Sequence, residues 1–317
     1  MVGPAPAAAA ASRLVVGAAQ LGQPYGRRGG PVPTDDDARA VLDLAARLGC
    51  AAVDTARAYG DSEVAIGRAR AAGVATELPV VTKIHPLTEF DDARDVAAAV
   101  GADLTESLAR LHAERVDTVL LHRADDLSRA EGAAVRALRS ARDDGLLTTW
   151  GVSVSDPAEL VAALAVTDLG AVQLPFNLLD RRWLGPDVQD ALAARPDVTI
   201  AARSVFLQGL LLRPEPSLWP SGTQPSATAT AAGLTALTAE TGRTHAGLCI
   251  GYALAQPWID TVVIGVRSAA QLDGVVHEVA RGPLTPEECE SAVGVLPAGS
   301  LHLINPALWP AREEEHV

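Results

Sequence analysis

The chain has 317 residues, 48% of them hydrophobic, which is long enough for one large domain or two small ones. Its 26 Lys and Arg residues against 39 Asp and Glu residues give a formal net charge of −13. This charge disfavours nucleic acid and anionic membranes as partners, because both are negatively charged. The sequence contains no uninterrupted apolar run of about 18 residues, so it predicts no membrane-spanning helix.

Residues 1–12 are rich in Ala and lack the basic start and the Leu-rich core of a secretory signal, so we expect a disordered leader. The three cysteines, Cys50, Cys249 and Cys289, are far apart and never in C-x-x-C spacing. This spacing argues against a disulfide framework and against a zinc site. We therefore expect a soluble cytoplasmic protein that binds no metal.

Short runs rich in Val, Ile or Ala alternate along the chain with longer segments in which apolar residues recur at helical spacing. The short runs predict strands at Leu14–Ala18, Ala51–Thr55, Pro79–Lys83, Thr118–His122, Trp150–Ser153, Ala171–Leu174, Thr199–Ser204 and Thr261–Gly265. The longer segments predict helices at about 35–48, 61–71, 92–111, 132–143, 156–165, 187–194, 244–255 and 268–279.

Alternating strands and helices require parallel strands, and eight such units close most naturally into a (β/α)8 TIM barrel. The alternative is an open, doubly wound sheet. We expect a single domain over residues 13–317, with a Pro-, Ser- and Thr-rich loop at about 212–230 and a C-terminal extension from about 299. Long loops in a barrel are either mobile or part of the substrate pocket.

Four chemically active side chains lie at or just after the ends of three successive predicted strands. Asp54 ends the second strand and Tyr59 follows in its loop, Lys83 ends the third strand, and His122 ends the fourth. Taken singly, each residue has a structural explanation, such as a helix cap or a satisfied interior histidine. Together they favour a catalytic site, because the carboxyl ends of barrel strands meet at one face.

These residue types suit proton-coupled hydride transfer to a carbonyl. The oxygen of a carbonyl that accepts hydride becomes negative, so a donor must deliver a proton to it. Tyr59 can be that donor if Lys83 stabilises the phenolate that remains. Asp54 would keep the buried Lys83 charged and in place, and His122 would orient the carbonyl oxygen by a hydrogen bond.

Five segments resemble signatures of the aldo-keto reductase family: DTARAYGDSE (54–63), VVTK (80–83), LLHRAD (120–125), GVSV (151–154) and LPFNLLDRR (174–182). The resemblance extends over nearly the full length. It implies a TIM barrel, an NAD(P)H-dependent oxidoreductase that reduces an aldehyde or ketone, and catalytic roles for Asp54, Tyr59, Lys83 and His122. It also implies a cofactor bound across the barrel mouth, and VGAAQLGQPYG indeed does not fit the G-x-G-x-x-G pattern of a Rossmann loop.

The resemblance further implies two groups of cofactor contacts. Ser153 and Gln173 match positions that hold the nicotinamide carboxamide, and Arg267 and Ser268 match those that bind the adenosine 2′-phosphate. The other residues that the resemblance implies as cofactor contacts are Arg203, Ser204, Gly209, Gly265 and Gln271. Arg267 favours NADPH, whereas Gly274 and Val275 replace a Glu and an Asn that the family often has there, so NADH is the alternative cofactor.

Arg203 stands where the family usually has a Tyr or Trp stacked on the nicotinamide ring. A planar guanidinium can also stack on a ring, and the alternative is a salt bridge to an acidic residue in a neighbouring loop.

The substrate is a small carbonyl compound whose identity the sequence leaves open. The predicted pocket residues are Tyr25, His85, Arg123, Phe176, Asn177 and Trp219. A second hypothesis for the function is a nucleotide-binding regulatory subunit with a vestigial reductase site. The complete set of four catalytic residues favours the enzyme. The oligomeric state is open as well.

Overall fold

Eight parallel strands close into a barrel in which each strand pairs with its neighbours in chain order and β8 pairs with β1. The structure is a computed structural model, and it describes residues 11–27 and 29–310. The strands are β1 Leu14–Gly17, β2 Ala52–Asp54, β3 Val80–Ile84, β4 Val116–Leu121, β5 Leu147–Ser153, β6 Ala171–Pro175, β7 Thr199–Arg203 and β8 Thr261–Gly265. The predicted (β/α)8 fold and all eight predicted strands are confirmed.

Twelve helices are present in the described part of the chain, most of them packed around the barrel. They are α1 Ala19–Gly22, α2 Asp35–Leu48, α3 Ser62–Ala71, α4 Ala93–Arg110, α5 Arg129–Asp143, α6 Pro157–Leu164, α7 Pro186–Ala193, α8 Ala227–Thr241, α9 His245–Leu254, α10 Ala269–Val279, α11 Pro286–Val295 and α12 Leu301–Ile304. Each of the eight predicted helices is found. None of the described helices is long and apolar enough to cross a membrane.

Helix starts follow the capping residues that the sequence contains. The Thr34 side chain accepts a hydrogen bond from the Asp37 amide at the start of α2, and the Asp156 carboxylate accepts one from the Glu159 amide before α6. These bonds satisfy amides that have no partner within the helix. Capping therefore explains why the predicted starts at 35 and 156 lie within one residue of the observed ones.

Four helices were not predicted: the short helices α1 and α12, and the longer helices α8 and α11. Helix α8 begins at Ala227, inside the range expected to be loop, and α11 lies between the last predicted helix and the C-terminal extension. Helix α8 is rich in Thr and contains Gly233, which are weak helix formers, but Gly233 lets Leu296 approach closely. Tertiary packing thus outweighs local propensity here.

The register of the barrel brings the predicted functional positions to one face. Gly17 pairs with Asp54 and Pro175 with Arg203, all at the carboxyl ends of their strands, and Ser153 at the end of β5 pairs with Gln173 in the middle of β6. Residues 1–10 of the expected leader lie outside the described residues, and Ala11 is buried in the core. Cys50, Cys249 and Cys289 are free thiols.

Candidate active site

A cavity of about 810 Å³ opens at the carboxyl ends of the strands. Its wall contains residues from the ends of seven strands: Gly17, Asp54, His122, Ser153, Gln173, Arg203 and Gly265. A barrel collects side chains from distant parts of the chain at this face, which is why TIM-barrel active sites lie there.

Asp54 and Lys83 form a buried ion pair at the base of the cavity. The Lys83 Nζ lies 2.7 Å from Asp54 Oδ1 and 2.8 Å from Oδ2, and it also donates to the Thr55 carbonyl at 3.0 Å. The Lys83 side chain is 1% exposed and that of Asp54 is 5% exposed. The three donor sites of the ammonium thus each have an acceptor, and its charge is paired inside the protein.

The loop that carries Tyr59 is fixed by buried polar contacts. The hydroxyls of Thr55 and Ser62 lie 2.8 Å apart, and the Ser62 hydroxyl donates to the Ala18 carbonyl at 2.9 Å. A Cβ on Gly22 would lie 2.0 Å from the Ser62 amide nitrogen, so only glycine allows this approach. These contacts therefore fix the loop both before and after Tyr59 in the sequence.

Arg57, two residues before Tyr59, is buried among three carboxylates. Its guanidinium lies 2.8 Å from Glu63, 2.8 Å from Glu106 and 3.6 Å from Asp103. This cluster ties the loop to helices α3 and α4, because Glu63 belongs to α3 and the other two carboxylates to α4.

Tyr59 lies between the buried cation and the imidazole of His122. The Lys83 ammonium is 5.0 Å from the centre of the Tyr59 ring, and the Tyr59 and His122 rings meet edge to face with centres 6.0 Å apart. Burial, followed by the charge of Lys83, lowers the pKa of His122 to about 4. The imidazole is therefore neutral at neutral pH and carries one N–H that can be donated to a carbonyl oxygen.

A second phenol, Tyr25, shares this cavity. Burial raises the pKa of Tyr25, and the proximity of Tyr59 raises it further. Of the two phenols, Tyr59 is the one whose ring lies beside the Lys83 ammonium.

The positions predicted to hold the nicotinamide carboxamide lie on the cavity wall. Gln173 donates from Nε2 to Asp54 Oδ1 at 2.7 Å, while its Oε1 is buried and has no hydrogen-bond partner among the described residues. Ser153 lies next to it on β5. A primary amide would satisfy the orphaned Oε1, so this wall fits the carboxamide of a nicotinamide.

Arg203, Ser204 and Gly209 also line the cavity. Arg203 donates to the Val154 carbonyl at 3.2 Å and lies 3.4 Å from the Ser204 hydroxyl. In the described part of the chain it makes no salt bridge, so the acidic partner that the sequence offered as an alternative is not present. Its guanidinium faces the cavity wall that also contains His122.

The predicted adenosine-side residues lie at the other end of the cavity. Gly265, Arg267 and Gln271 are part of its wall, whereas Ser268 is not. The Ser268 hydroxyl caps α10 by accepting from the Gln271 amide at 3.3 Å, and Gln271 Oε1 accepts from the Arg267 amide at 2.8 Å. The cavity therefore extends from Asp54, Tyr59 and His122 to the N-terminus of α10, where helix amides can bind an anion.

Of the six predicted pocket residues, the structure places only Tyr25 on the cavity wall, and Arg123 lies exposed beside Asp125. Phe176 is fully buried and stacks on Tyr252 at 5.5 Å. Side chains alternate along a strand, so Phe176 faces away from the barrel where Gln173 faces in.

The other three predicted pocket residues are also held elsewhere. Asn177 is buried and accepts from the Leu179 amide, and Trp219 donates to the Pro225 carbonyl at 3.0 Å. The His85 ring lies 3.0 Å from Asp103 and does not line the cavity. None of these three side chains forms part of the cavity wall.

Several polar residues of the wall were missed by the sequence analysis: Gln20, Ser155, Gln208, Thr244 and Glu278. Gln20 and Ser155 come two or three residues after β1 and β5, so their position at strand ends could have identified them. Glu278 lies near the end of α10, where no local pattern distinguishes it from a solvent-exposed glutamate.

The fold and the site define a TIM barrel equipped for acid–base chemistry beside an elongated ligand cavity. The chain belongs to the Aldo/keto reductase family, whose sequence model matches residues 13–296. The resemblance read from the sequence motifs is thereby confirmed. Members of this family are oxidoreductases that use nicotinamide cofactors and act on small carbonyl compounds.

Among curated relatives, the chain is 31% identical over 245 residues to D-threo-aldose 1-dehydrogenase from Pseudomonas sp., covering 67% of this chain and 72% of that protein. It is 31% identical over 184 residues to aldo-keto reductase str7 from Strobilurus tenacellus, covering 57% and 54%. It is 30% identical over 165 residues to D-arabinose 1-dehydrogenase from Saccharomyces cerevisiae, covering 50% and 47%. The chain thus matches about half the length of the last two relatives.

Among solved structures, the holo form of aldo-keto reductase AKR11C1 from Bacillus halodurans superposes with a TM-score of 0.71 at 22% identity. The superposition covers 90% of this chain and 92% of that chain. The apo form of the same protein gives a TM-score of 0.67 at 22% identity, with coverage of 88% and 92%. At this identity the likeness supports the fold alone.

Proposed function

We propose that the protein is an NADPH-dependent oxidoreductase that reduces an aldehyde or ketone to an alcohol, with Tyr59 as the proton donor. The observation that carries the proposal is the arrangement of Tyr59 between the buried Asp54–Lys83 pair and the neutral imidazole of His122. A nicotinamide cofactor, when bound, would supply the hydride. The residues of the chain would manage the proton and orient the substrate.

In the proposed reaction, His122 donates a hydrogen bond to the substrate oxygen and holds it near the Tyr59 hydroxyl. A neutral imidazole suits this role because it can donate without placing a second cation beside Lys83. Tyr59 gives its proton to the oxygen as negative charge develops there. The Lys83 ammonium stabilises the phenolate that results, and Asp54 holds that ammonium in place.

Gln173, Ser153 and Arg203 are the residues proposed to surround the nicotinamide, and Arg267 with the N-terminus of α10 is proposed to bind a 2′-phosphate. A charged partner and a helix N-terminus together contribute about 1–3 kcal/mol to phosphate binding. We therefore expect NADPH to bind about ten- to a hundredfold more tightly than NADH. Equal dissociation constants for the two cofactors would contradict this assignment.

The substrate class can be narrowed by experiment. Two relatives are named as aldose 1-dehydrogenases, so aldoses belong in a screen beside aryl aldehydes and simple ketones. We propose testing reduction with NADPH and NADH, and oxidation of sugars with the oxidised cofactors, by absorbance at the reduced nicotinamide band.

The decisive variant is Tyr59→Phe, which removes one hydroxyl and leaves the ring. We expect turnover to fall at least a hundredfold while cofactor affinity and thermal stability stay unchanged, because only a transition-state interaction is lost. Tyr252→Phe is a matched control, since Tyr252 is buried against Phe176 away from the cavity. If Tyr59→Phe kept near-normal turnover, or if Tyr25→Phe rather than Tyr59→Phe abolished it, Tyr59 would not be the donor.

A further inference from the structure

The loop that follows α1 crosses one side of the cavity. We refer to residues 23–27 with 29 and 30 as the β1 loop. Tyr25, Gly26 and Gly29 of this loop line the cavity. The loop therefore connects the substrate end, where Tyr25 lies, with the end at which Arg267 lies.

Arg267 is hydrogen-bonded to the main chain of the β1 loop. Its NH2 nitrogen donates to the Tyr25 carbonyl at 2.9 Å and to the Gly29 carbonyl at 2.7 Å. Both hydrogens of that nitrogen are thus used within the protein. Charge-assisted hydrogen bonds of this kind are stronger than neutral ones, so the contact holds the loop firmly.

The shape of the loop fits the guanidinium. Gly29 and Gly30 have φ values of +64° and +126°, which residues with a side chain rarely adopt. A Cβ on Gly30 would lie 2.3 Å from the NH1 nitrogen of Arg267. Glycine at this position therefore serves both the backbone conformation and the close approach of Arg267.

The opposite side of the loop is held by Arg27. Its amide donates to the Gln208 carbonyl at 3.4 Å, and its guanidinium donates to the carbonyls of Leu218 and Pro310 at 3.0 and 3.2 Å. The Arg27 guanidinium also lies 5.5 Å from the centre of the Trp309 ring. Arg27 and Arg267 thus hold the β1 loop from opposite sides, and the contact with Arg267 is the one on the Tyr25 side.

We propose that Arg267 is a positioning residue for the substrate pocket: by holding the β1 loop it places the Tyr25 phenol beside Tyr59, whether or not the cofactor carries a 2′-phosphate. This role is separate from the phosphate contact proposed above, since it operates through the NH2 nitrogen, which donates to the Tyr25 and Gly29 carbonyls. Its kinetic consequence depends on the proposed function, whereas its structural consequence does not.

The structural consequence is tested by hydrogen exchange in the cofactor-free protein. The amides to follow are Arg27, bonded to the Gln208 carbonyl, and Gly29, bonded to the Gly26 carbonyl at 3.0 Å. We expect Arg267→Met to speed their exchange at least tenfold. Arg281→Met is a matched control, because Arg281 also donates to two backbone carbonyls, those of Gly242 and Thr241, but far from this loop. Wild-type protection of both amides in Arg267→Met would overturn the proposal.

Gly30→Ala tests the same contact from the loop side. The added methyl would displace the Arg267 guanidinium and strain a left-handed backbone. We expect the same increase in exchange of the Arg27 and Gly29 amides with Arg267 itself unchanged. Wild-type protection in this variant would equally overturn the proposal.

Kinetics with NADH separate positioning from phosphate binding, because NADH has no 2′-phosphate. For a carbonyl substrate found in the screen, we expect Arg267→Met to raise its KM with NADH at least fivefold and to change kcat less than twofold. An effect confined to NADPH would show that Arg267 serves the phosphate alone and would overturn the positioning role. If instead Tyr59→Phe remained active, the proposed function would fail, and the exchange measurements would still decide the role of Arg267.

Discussion

The buried pair of Asp54 and Lys83 allows a prediction in which stability and activity separate. Asp54→Asn leaves an ammonium that is 1% exposed without its counter-charge, and Lys83→Met leaves a carboxylate that is 5% exposed without its own. The double variant, Asp54→Asn with Lys83→Met, removes both charges at once. We expect each single variant to lose more free energy of unfolding than the removed hydrogen bonds alone would cost, because it leaves a buried charge unpaired. We expect the double variant to recover part of that loss.

The magnitude follows from the cost of an unpaired buried charge. Removing one partner of a buried ion pair costs about 3–5 kcal/mol, and replacing both partners by uncharged groups is often close to neutral. For a chain of this size, about 2 °C in Tm corresponds to each kcal/mol, so each single variant should melt about 6–10 °C lower. Since the Thr55 carbonyl loses its donor in the double variant, we expect a remaining loss of about 1–3 kcal/mol.

The assay is urea unfolding of the wild type, the two single variants and the double variant, with turnover measured in parallel. We expect a coupling energy of at least 2 kcal/mol and no recovery of turnover in the double variant, because in the proposed mechanism the Tyr59 phenolate needs the charge of Lys83. The pair of Arg47 and Asp43, whose side chains are 64% and 49% exposed, provides a control that should cost less than about 1 kcal/mol. Additive losses within about 0.5 kcal/mol would refute the reasoning.

Three further predictions concern other parts of the molecule. Burial, then Lys83, lowers the pKa of folded His122 to about 4 from 6.5, so the unfolded chain binds more protons between these values and stability falls as the pH drops through them. Between pH 7 and pH 4.5 the free energy of unfolding, measured with urea, should fall by about 2–3 kcal/mol less in His122→Asn than in the wild type. Equal decreases in the two proteins would contradict this prediction. Gly67→Ala should lower the free energy of unfolding by about 1–3 kcal/mol, because its Cβ would lie 1.9 Å from the Arg110 carbonyl oxygen. Gly101→Ala, whose Cβ would have nothing within 4 Å, should raise it by up to about 1 kcal/mol. Similar thermal shifts in the two variants would refute the comparison. Arg203→Tyr should bring the dissociation constants of NADPH and NADP⁺ closer together in calorimetric titrations, since the guanidinium repels the cationic oxidised ring; an unchanged ratio would show that Arg203 does not sense the ring.

The sequence was most informative where local pattern and global topology agree. The runs at β1 to β8 are short, rich in Val, Ile or Ala, and separated by helical segments, so their number and order predicted the closed barrel. Asp54, Lys83 and His122 could be placed together because the carboxyl ends of parallel barrel strands meet at one face. The contacts among them, such as the bond from Gln173 to Asp54, join residues too distant in the chain for any local pattern.

Pocket residues were harder to predict because their orientation depends on loop geometry. Phe176 and Asn177 follow β6 closely, yet both side chains are buried in the core. Helix α8 was missed for a related reason, since its Thr-rich sequence favours other conformations until Gly233 packs against Leu296. Glu278 became a candidate ligand contact only once the fold brought the end of α10 to the cavity.

The charge of Arg57 and the charges of the two arginines in the cavity wall are balanced in different ways. Arg57, away from the cavity, is surrounded by three carboxylates, whereas Arg203 and Arg267 donate to neutral backbone carbonyls and, among residues 11–27 and 29–310, make no ion pair. A carbonyl fixes a guanidinium without cancelling its charge. In a chain with a net charge of −13, this leaves two guanidinium groups without an ion-pair partner among the described residues on a cavity wall that also carries Asp54 and Glu278. Guanidinium groups whose charge is not cancelled favour an anionic ligand at this wall, which agrees with the proposed binding of a phosphate-bearing dinucleotide.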